Sequence, residues 1–376
     1  MSSAYSTTTA IVAVSKPGAA LARRLASAIP DAELHLERKL AAGEDDDTRY
    51  YDLPLRPVLQ NLFVNRDSLI VFLPIGAAVR LLAPVFAGKK RDAAVVCVDD
   101  AGRYAISVLS GHVGGGDELA RQVAEAIGAQ PIITSASDAL NVTAIDLVGK
   151  AQGWRIDASP TDLTRAAAAV VNSKPVALWL DPDCGVAWPE DSSKSDCIVE
   201  VDSLAEAVAD DFAATLIVSD RLLAVDVSHP VVAYRPPTLV AGVGCRRGVD
   251  VVHLRELLES TLQDYGLARH SLAKIATIDI KANEPGIIAL AESLDVPLEI
   301  YTAAELNAVV NRPVASESDS ELNRPTPSAA QDLLGVFGVS EPAAMLAAGA
   351  NGLVAPRTKS DRATIAIARI PPDRRG

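Results

Sequence analysis

The chain has 376 residues, a length that allows two or three domains. Its formal charge of −13 at pH 7 argues against general nucleic-acid binding. Hydrophobic residues make up 49% of it and aromatic residues 4%, a bias that suits buried parallel sheets packed against alanine-rich helices. No apolar run reaches the roughly 20 residues of a membrane-spanning helix, and the N-terminus lacks the basic flank of a secretory signal. We therefore expect a cytoplasmic protein.

The four cysteines suggest neither a metal site nor a disulfide. Cys97, Cys184, Cys197 and Cys245 form no C-x-x-C pair, and no histidine lies at metal-ligand spacing from any of them. We expect four reduced thiols and no structural zinc.

Residues 1–142 are predicted to form an N-terminal α/β domain of the Rossmann-like type. A strand at 10–14 runs into a helical pattern that ends near Ile29, the usual opening of such a domain. Asp99 to Gly102 has the composition of a hairpin turn, which predicts one antiparallel strand pair in an otherwise parallel sheet. Further strands are predicted at 68–73, 95–98, 104–109 and 132–133, and an exposed loop at 41–52.

Residues 143–236 are predicted to form a small middle α/β domain. It holds an alanine-rich helix at 161–171 and strands at 176–180 and 216–218. Between positions 181 and 211 lie ten acidic residues and one lysine, a composition typical of a solvated face. Arg235-Pro236-Pro237 indicates a linker, because proline ends regular structure.

Residues 237–376 are predicted to form a C-terminal α/β/α sandwich, because strands and helices alternate along them. Strands are predicted at 239–243, 275–278, 298–301 and 363–368, and helices at 250–265, 285–294, 303–309 and 342–348. Three prolines and many polar side chains predict a flexible loop at 311–327.

The strongest local signal is the run Ser110-Gly-His-Val-Gly-Gly-Gly-Asp-Glu-Leu-Ala120, between a predicted strand and a predicted helix. Its glycines allow a tight turn with converging N–H groups, and the helix start adds partial positive charge, so a carboxylate or phosphate would fit there. His112 lies within the turn, where an imidazole could exchange protons near neutral pH. Asp117 could cap the helix, with Glu118 in its first turn. The alternative is a structural turn with a solvent-facing histidine.

A second glycine-rich run, Gly242-Val-Gly-Cys-Arg-Arg-Gly248, also lies between a predicted strand and a predicted helix. Arg246 and Arg247 beside exposed amides would make a forked anion site. Cys245 could be an activated thiol at the start of the helix, but no histidine or second cysteine lies nearby in the sequence to support that role.

Charged residues follow two further predicted strands. Asp279, Lys281 and Glu284 come at the end of one, the sheet edge at which open α/β proteins bind ligands. Gly76 and Arg80 follow another, and Arg80 could clamp a carboxylate. Three more basic residues lie shortly beyond, namely Lys89, Lys90 and Arg91. The alternatives are an ordinary surface ion-pair cluster for the first group and a solvated basic turn for the second.

Taken in this order, the segments resemble the cobalamin-biosynthesis protein CbiG, the cobalt-precorrin-5A hydrolase family. The resemblance spans nearly the whole chain and is weakest in the middle domain. The residues that carry it lie at 76–84, 95–103, 110–120, 134–138, 242–248, 276–286, 339–344 and 364–368.

The resemblance implies a role in vitamin B12 biosynthesis. Hydrolysis of cobalt-precorrin-5A opens the ring-A lactone and releases acetaldehyde, which gives cobalt-precorrin-5B. Water is the co-substrate and cobalt arrives within the substrate, so we expect no cofactor and no metal bound by the protein. The expected partner is this anionic tetrapyrrole, with methyltransferases of the pathway as further candidates, and neither nucleic acid nor a membrane.

For this reaction we expect His112 to act as the general base, with Glu118 or Glu284 as the alternative. The residues expected to bind the substrate are Gly76, Arg80, Ser110, Gly111, Gly114, Gly115, Gly116, Asp117, Thr134, Asp138, Gly242, Gly244, Cys245, Arg246, Arg247, Gly248, Asp279, Lys281 and Glu341. The two glycine-rich runs fall in different predicted domains, so we expect the site in a cleft between domains.

Two other functions fit parts of the sequence. A non-catalytic carrier of corrinoid intermediates is the main alternative, because the C-terminal domain also resembles a stand-alone protein of the same pathway. A methyltransferase is disfavoured, because Gly242-x-Gly244 is too short a signal for a nucleoside cofactor.

Overall fold

The computed structural model describes residues 8–29, 31–41, 47–88, 91–112, 114–310 and 338–374. The chain divides into two compact units, Met1–Leu147 and Val148–Gly376. The described residues form three sheets, and the strands of each sheet lie within one of the three predicted domains. None of the described helices is both long enough and apolar enough to cross a membrane.

The N-terminal unit is built on a seven-stranded sheet. Its strands are β1 (Thr9–Ala13), β2 (Glu33–Glu37), β3 (Thr48–Tyr51), β4 (Ser68–Phe72), β5 (Ala94–Val98), β6 (Tyr104–Leu109) and β7 (Gln130–Ile132). Its helices are α1 (Lys16–Ala28), α2 (Leu55–Asn65), α3 (Ile75–Leu82), α4 (Gly116–Ile127) and α5 (Ala136–Leu140). The strand order is β3-β2-β1-β4-β5-β6-β7. Only β5 and β6 pair antiparallel, which confirms the predicted hairpin.

Helices cover both faces of this sheet, because successive strand side chains point to opposite sides. Ile11 and Ala13 of β1 belong to the apolar layer under α1 and α4, whereas Ala10 and Val12 belong to the layer under α2 and α3. The Rossmann-like prediction is therefore confirmed. The exposed loop predicted at 41–52 is partly wrong, since β3 lies within it, and a four-residue edge strand is too short to show its period.

The middle segment forms a five-stranded sheet. Its elements are β8 (Arg155–Asp157), α6 (Pro160–Val171), β9 (Val176–Leu180), β10 (Ile198–Glu200), α7 (Leu204–Ala207), β11 (Ala214–Val218) and β12 (Val231–Arg235). The strand order is β10-β9-β11-β12-β8, with β8 antiparallel to its neighbour. The acidic stretch is not solvated throughout, because Asp181 is buried and bonds both Arg221 and Ser219.

The C-terminal segment is the predicted α/β/α sandwich. Its elements are β13 (Leu239–Cys245), α8 (Val251–Asp264), β14 (Leu272–Ile278), α9 (Pro285–Leu294), β15 (Leu298–Tyr301), α10 (Ala303–Val310), α11 (Ser340–Ala348), β16 (Ala355–Lys359) and β17 (Ala363–Arg369). The strand order is β15-β14-β13-β17-β16. Helices α8 and α9 pack on one face, and α10 and α11 on the other. The loop predicted at 311–327 lies outside the described residues.

The predicted linker after β12 is short, and hydrogen bonds to one buried carboxylate hold the two sheets on either side of it. Arg235 is the last residue of β12, and β13 begins four residues later. Asp220, two residues after β11, accepts bonds from Arg369 of β17 at 2.7 and 2.8 Å and from the Thr238 hydroxyl at 2.6 Å. These bonds join the middle and C-terminal sheets, which explains why both lie in one compact unit.

Candidate active site

The loop after β6 is a closed turn. Ser110 takes a left-handed conformation with φ 52°, and its carbonyl accepts a bond from the Gly116 N–H at 3.0 Å. The Gly115 N–H donates to the His112 carbonyl at 3.1 Å, and the Asp117 N–H to the Gly111 carbonyl at 2.9 Å. The predicted role of these three amides in binding an anion is therefore not supported, since their N–H groups already donate to carbonyls of the same turn. The Ser110 hydroxyl likewise donates within the protein, to the Asp92 carbonyl at 2.8 Å.

His112 is the centre of a hydrogen-bonded cluster, and not the solvent-facing side chain of a purely structural turn. Its Nδ1 lies 3.0 Å from Oδ2 of Asp117, and its Nε2 contacts Oγ of Ser137. The His112 side chain is 13% exposed and that of Asp117 is 9% exposed. An ionised carboxylate can only accept a bond, so Asp117 favours the tautomer in which Nδ1 carries the proton and Nε2 accepts from the serine hydroxyl.

The Asp117 carboxylate is available to His112 because it does not cap helix α4. The N-cap of α4 is Gly115, with φ 84° and no side-chain cap bond, so the predicted cap is wrong. The carboxylate turns back over the loop instead, where Gly111 leaves room for it. A Cβ at position 111 would lie 2.5 Å from Oδ1 of Asp117, and that clash explains why glycine precedes the histidine.

Ser137 is the member of the cluster that sequence reasoning missed. It lies in the first turn of α5, after β7, and is 9% exposed. Strands β6 and β7 are parallel neighbours, so the loops after them leave the sheet at the same edge. The predicted stretch 134–138 contains Ser137, but its two serines are indistinguishable by pattern, and His112 is 25 residues away in sequence.

The residues around the cluster are more exposed and form their own pairs. Asp138 is bonded by Arg121 and by the Ser135 hydroxyl at 3.1 Å. Glu118, the alternative base, is exposed and bonds Arg121 at 3.4 Å on the helix surface. Thr134 is exposed as well. The structure therefore brings Asp117 and Ser137 to His112, whereas Glu118 pairs with Arg121.

One group of possible metal ligands lies in the described part of the chain. His112, Asp117 and Asp138 each offer one atom, and these atoms lie within 4.8 Å of one another. Both nitrogens of the histidine already have partners, and a guanidinium holds the Asp138 carboxylate. Hydrogen bonds account for this arrangement without an ion.

The second glycine-rich run has a different structure from the one predicted. Gly242 and Gly244 lie within β13 and pair with β17, so their amides belong to the sheet rather than to a turn. A Cβ at position 242 would lie 1.8 Å from the carbonyl oxygen of Ser340 in α11. The predicted anion-binding turn is therefore wrong for these two residues. Gly242 is a glycine because α11 packs directly on the strand, and a Cβ at position 244 would lie 2.8 Å from Oγ1 of Thr364 in β17.

The turn proper begins after Cys245. Arg246 and Arg247 are exposed there, and Gly248 has φ 71°. The Gly248 N–H donates to Oε1 of Glu284 at 2.6 Å, and Lys281 contacts Oε2 at 3.2 Å.

The electrostatics of this turn argue against catalysis by Glu284 or Cys245. Burial raises the pKa of Glu284, but the bonds from Gly248 and Lys281 outweigh it, so its pKa lies below the usual value. A carboxylate held in its charged form is a poor proton acceptor, which argues against Glu284 as the base. Burial raises the pKa of the Cys245 thiol to about 11, so an activated thiol is not supported.

Of the other residues predicted to bind the substrate, some are exposed to solvent and one is buried. Arg80 is exposed and donates to the Gly76 carbonyl at 3.0 Å, within α3. Asp279 is exposed and accepts from the N–H of Ile280. Glu341 is buried and accepts from the Arg357 N–H at 3.3 Å, so it supports the fold. Arg91 is exposed, whereas Lys89 and Lys90 lie outside the described residues.

Three family models match the chain in succession. The model for the cobalamin synthesis G N-terminal region matches residues 57–138, the cobalamin biosynthesis central region 143–236, and the cobalamin synthesis G C-terminus 239–368. A cobalt-precorrin-5A hydrolase from Priestia megaterium is 33% identical over 369 residues, which cover 97% of this chain and 95% of that protein. The chain belongs to the CbiG family. The resemblance seen in the sequence is thereby confirmed.

Two further relatives show how the CbiG match extends. A cobalt-precorrin-5A hydrolase from Salmonella typhimurium is 31% identical, covering 90% of this chain and 91% of that protein. Protein CobE from Sinorhizobium sp is 34% identical over 131 residues, 35% of this CbiG chain and 79% of CobE. The hydrolases therefore match this CbiG protein along nearly its full length, and CobE matches a part of it.

Proposed function

We propose that this chain hydrolyses cobalt-precorrin-5A, opening the ring-A lactone and releasing acetaldehyde to give cobalt-precorrin-5B. The observation that carries the proposal is the contact of His112 with a buried carboxylate on one side and a hydroxyl on the other. A base that is oriented by a carboxylate is suited to the hydrolysis of an ester. The full-length similarity to two proteins named for this hydrolysis supports the choice of substrate.

In this proposal His112 is the general base and Asp117 its positioning residue. The Asp117 carboxylate holds the proton on Nδ1 and stabilises the imidazolium that forms when Nε2 takes a proton. Glu118 and Glu284 are set aside, because one is on the helix surface and the other is held ionised by Gly248 and Lys281.

The substrate is a macrocycle with several carboxylates, and exposed cations would bind them. Arg80, Arg246 and Arg247 are the candidates, because each is exposed. Arginine suits this role, since its planar guanidinium pairs with a carboxylate through two parallel bonds. Neutralising them should raise KM more than it lowers kcat.

No resident metal or organic cofactor enters the proposal, and cobalt arrives in the substrate. Because hydrogen bonds already engage His112 and Asp138, we expect a chelator to leave turnover unchanged. A cytoplasmic location and an association with pathway methyltransferases stay predictions.

The test is an anaerobic incubation with cobalt-precorrin-5A, in which acetaldehyde is assayed and the corrinoid is followed by mass. One acetaldehyde per substrate, with turnover that the His112→Ala variant loses, would support the proposal. Tight binding of the substrate without acetaldehyde would favour a carrier of corrinoid intermediates instead. An unchanged rate in His112→Ala would remove the histidine from the mechanism.

A further inference from the structure

We propose that Ser137 is a nucleophile, and that Ser137, His112 and Asp117 form a serine hydrolase triad. This inference rests on the proposed lactone hydrolysis and adds to it a covalent intermediate. It differs from a mechanism in which His112 deprotonates water directly, because the serine oxygen would then have no part in bond making.

The three side chains meet in the order that a triad requires. Oγ of Ser137 contacts Nε2 of His112, and Nδ1 of the same ring lies 3.0 Å from Oδ2 of Asp117. The base therefore has a hydroxyl on one nitrogen and an orienting carboxylate on the other, which is how a triad is recognised whatever the fold or chain order. Here the chain order is histidine, aspartate, serine, the three falling within 26 residues.

The place of the cluster in the fold also suits a catalytic group. His112 follows β6 and Ser137 follows β7, at the carboxyl edge that these parallel strands share. In open α/β sheets ligands bind at that edge. Ser137 is 9% exposed and the His112 side chain 13%, so the pair is shielded from bulk water without being sealed from it.

The nearby carboxylates show why this cluster differs from a structural ion pair. Asp138, one residue after the serine, is paired with Arg121 on the surface. Asp117 is instead paired with a histidine, a group that can both take and release a proton. An arginine partner could do neither, because it stays protonated.

Besides the lactone, the proposed hydrolysis needs only water. A lactone is a cyclic ester, and Oγ of Ser137 attacks its carbonyl carbon while Nε2 of His112 takes the hydroxyl proton. The bond between that carbon and the ring oxygen breaks, and the oxygen leaves with the proton from His112. Water, deprotonated by His112, then attacks the Ser137 ester and releases the carboxylate and the serine hydroxyl. The net change of these steps is one water added across the lactone. The carbon that carries the freed hydroxyl then leaves with its methyl group as acetaldehyde: its bond to the macrocycle breaks, the bonding electron pair stays on the macrocycle, and the hydroxyl proton is released.

The experiment combines a covalent probe with turnover. The whole chain is treated with a fluorophosphonate, which reacts with activated serines, and its intact mass and modified peptide are measured. We expect one label, on Ser137, in the wild type and none in Ser137→Ala or His112→Ala. The matched control is Ser135→Ala, in the same loop, whose hydroxyl bonds Asp138 and not the histidine. It should label as the wild type does.

Turnover of cobalt-precorrin-5A decides between a nucleophile and a structural serine. Ser137→Ala should lower acetaldehyde release by about a thousandfold or more, with a melting temperature near that of the wild type. Turnover by Ser137→Ala within about tenfold of the wild type would overturn the nucleophile and leave the hydrolase function standing. Labelling of Ser137 in a wild type that releases no acetaldehyde would support the triad and overturn the proposed substrate.

Discussion

The two glycine-rich runs are similar in sequence and have different structural roles. In the first, residues 110–116, the glycines shape a turn that leaves β6 and makes room for the Asp117 carboxylate. In the second, Gly242 and Gly244 stay inside β13, and Gly242 lets α11 pack against the strand. A glycine after a strand thus indicates either a turn or a close approach of backbone, and the local pattern alone does not distinguish them.

The difference extends to the charged groups beside each run. Asp117 faces a histidine and, through it, a hydroxyl, so protons can move along the cluster. Glu284 is held as an anion by an amide and a lysine, which fixes the turn and leaves no proton to exchange. The proposed chemistry therefore depends on the first run, whereas the contacts of Gly242 and Glu284 at the second support the fold.

The largest expected effect is that of Asp117→Asn. An amide can donate as well as accept, so the tautomer of His112 is no longer fixed, and we expect acetaldehyde turnover to fall about a thousand- to ten-thousandfold. Glu125→Gln, an exposed change on the same helix, is the control and should retain activity. Full activity in Asp117→Asn would mean that the carboxylate does not position the base.

Gly242→Ala should be the most destabilising change in the second run. The added Cβ meets the Ser340 carbonyl at 1.8 Å, so α11 must move, at a cost of about 3 kcal/mol or more in the free energy of unfolding. Gly248→Ala is the matched control. No atom lies within 4 Å of its Cβ, and only its φ of +71° opposes the change, by about 1 kcal/mol. Urea unfolding of both variants would check the order.

Gly111→Ala tests the complementary expectation for the first run. Its Cβ would push on the Asp117 carboxylate, a side chain that can shift, so we expect turnover to fall about a hundredfold with little loss of stability. A large drop in the urea midpoint with normal specific activity would show instead that the first run, like the second, is a packing site.

The smallest effect is the pH dependence of the turn that Glu284 holds. The folded-state pKa of Glu284 is lowered, so its stabilisation is present above the unfolded pKa of about 4.3 and is lost as pH falls through the folded value. Glu284→Gln should cost about 1–2 kcal/mol at pH 7, and the difference from the wild type should shrink below about pH 4. A difference independent of pH would exclude the charge as its cause.

The sequence by itself determined much of the fold. The continuous apolar run at 68–72 and the helical pattern at 285–294 predict a strand and a helix with nearly the observed bounds. The resemblance of ordered motifs to the CbiG family also came from the sequence, and full-length similarity to two hydrolases confirmed the family. His112 could be singled out because a histidine inside a glycine-rich turn is a local feature.

Only the tertiary structure decided which groups act together. Ser137 reaches His112 because β7 pairs parallel to β6, and Gly242 is required because α11, about 100 residues later, packs on β13. A strand such as β3, with four residues at the sheet edge, gives no readable period. Contacts between residues distant in sequence depend on how strands order themselves in a sheet, and a single sequence carries that information in no local pattern.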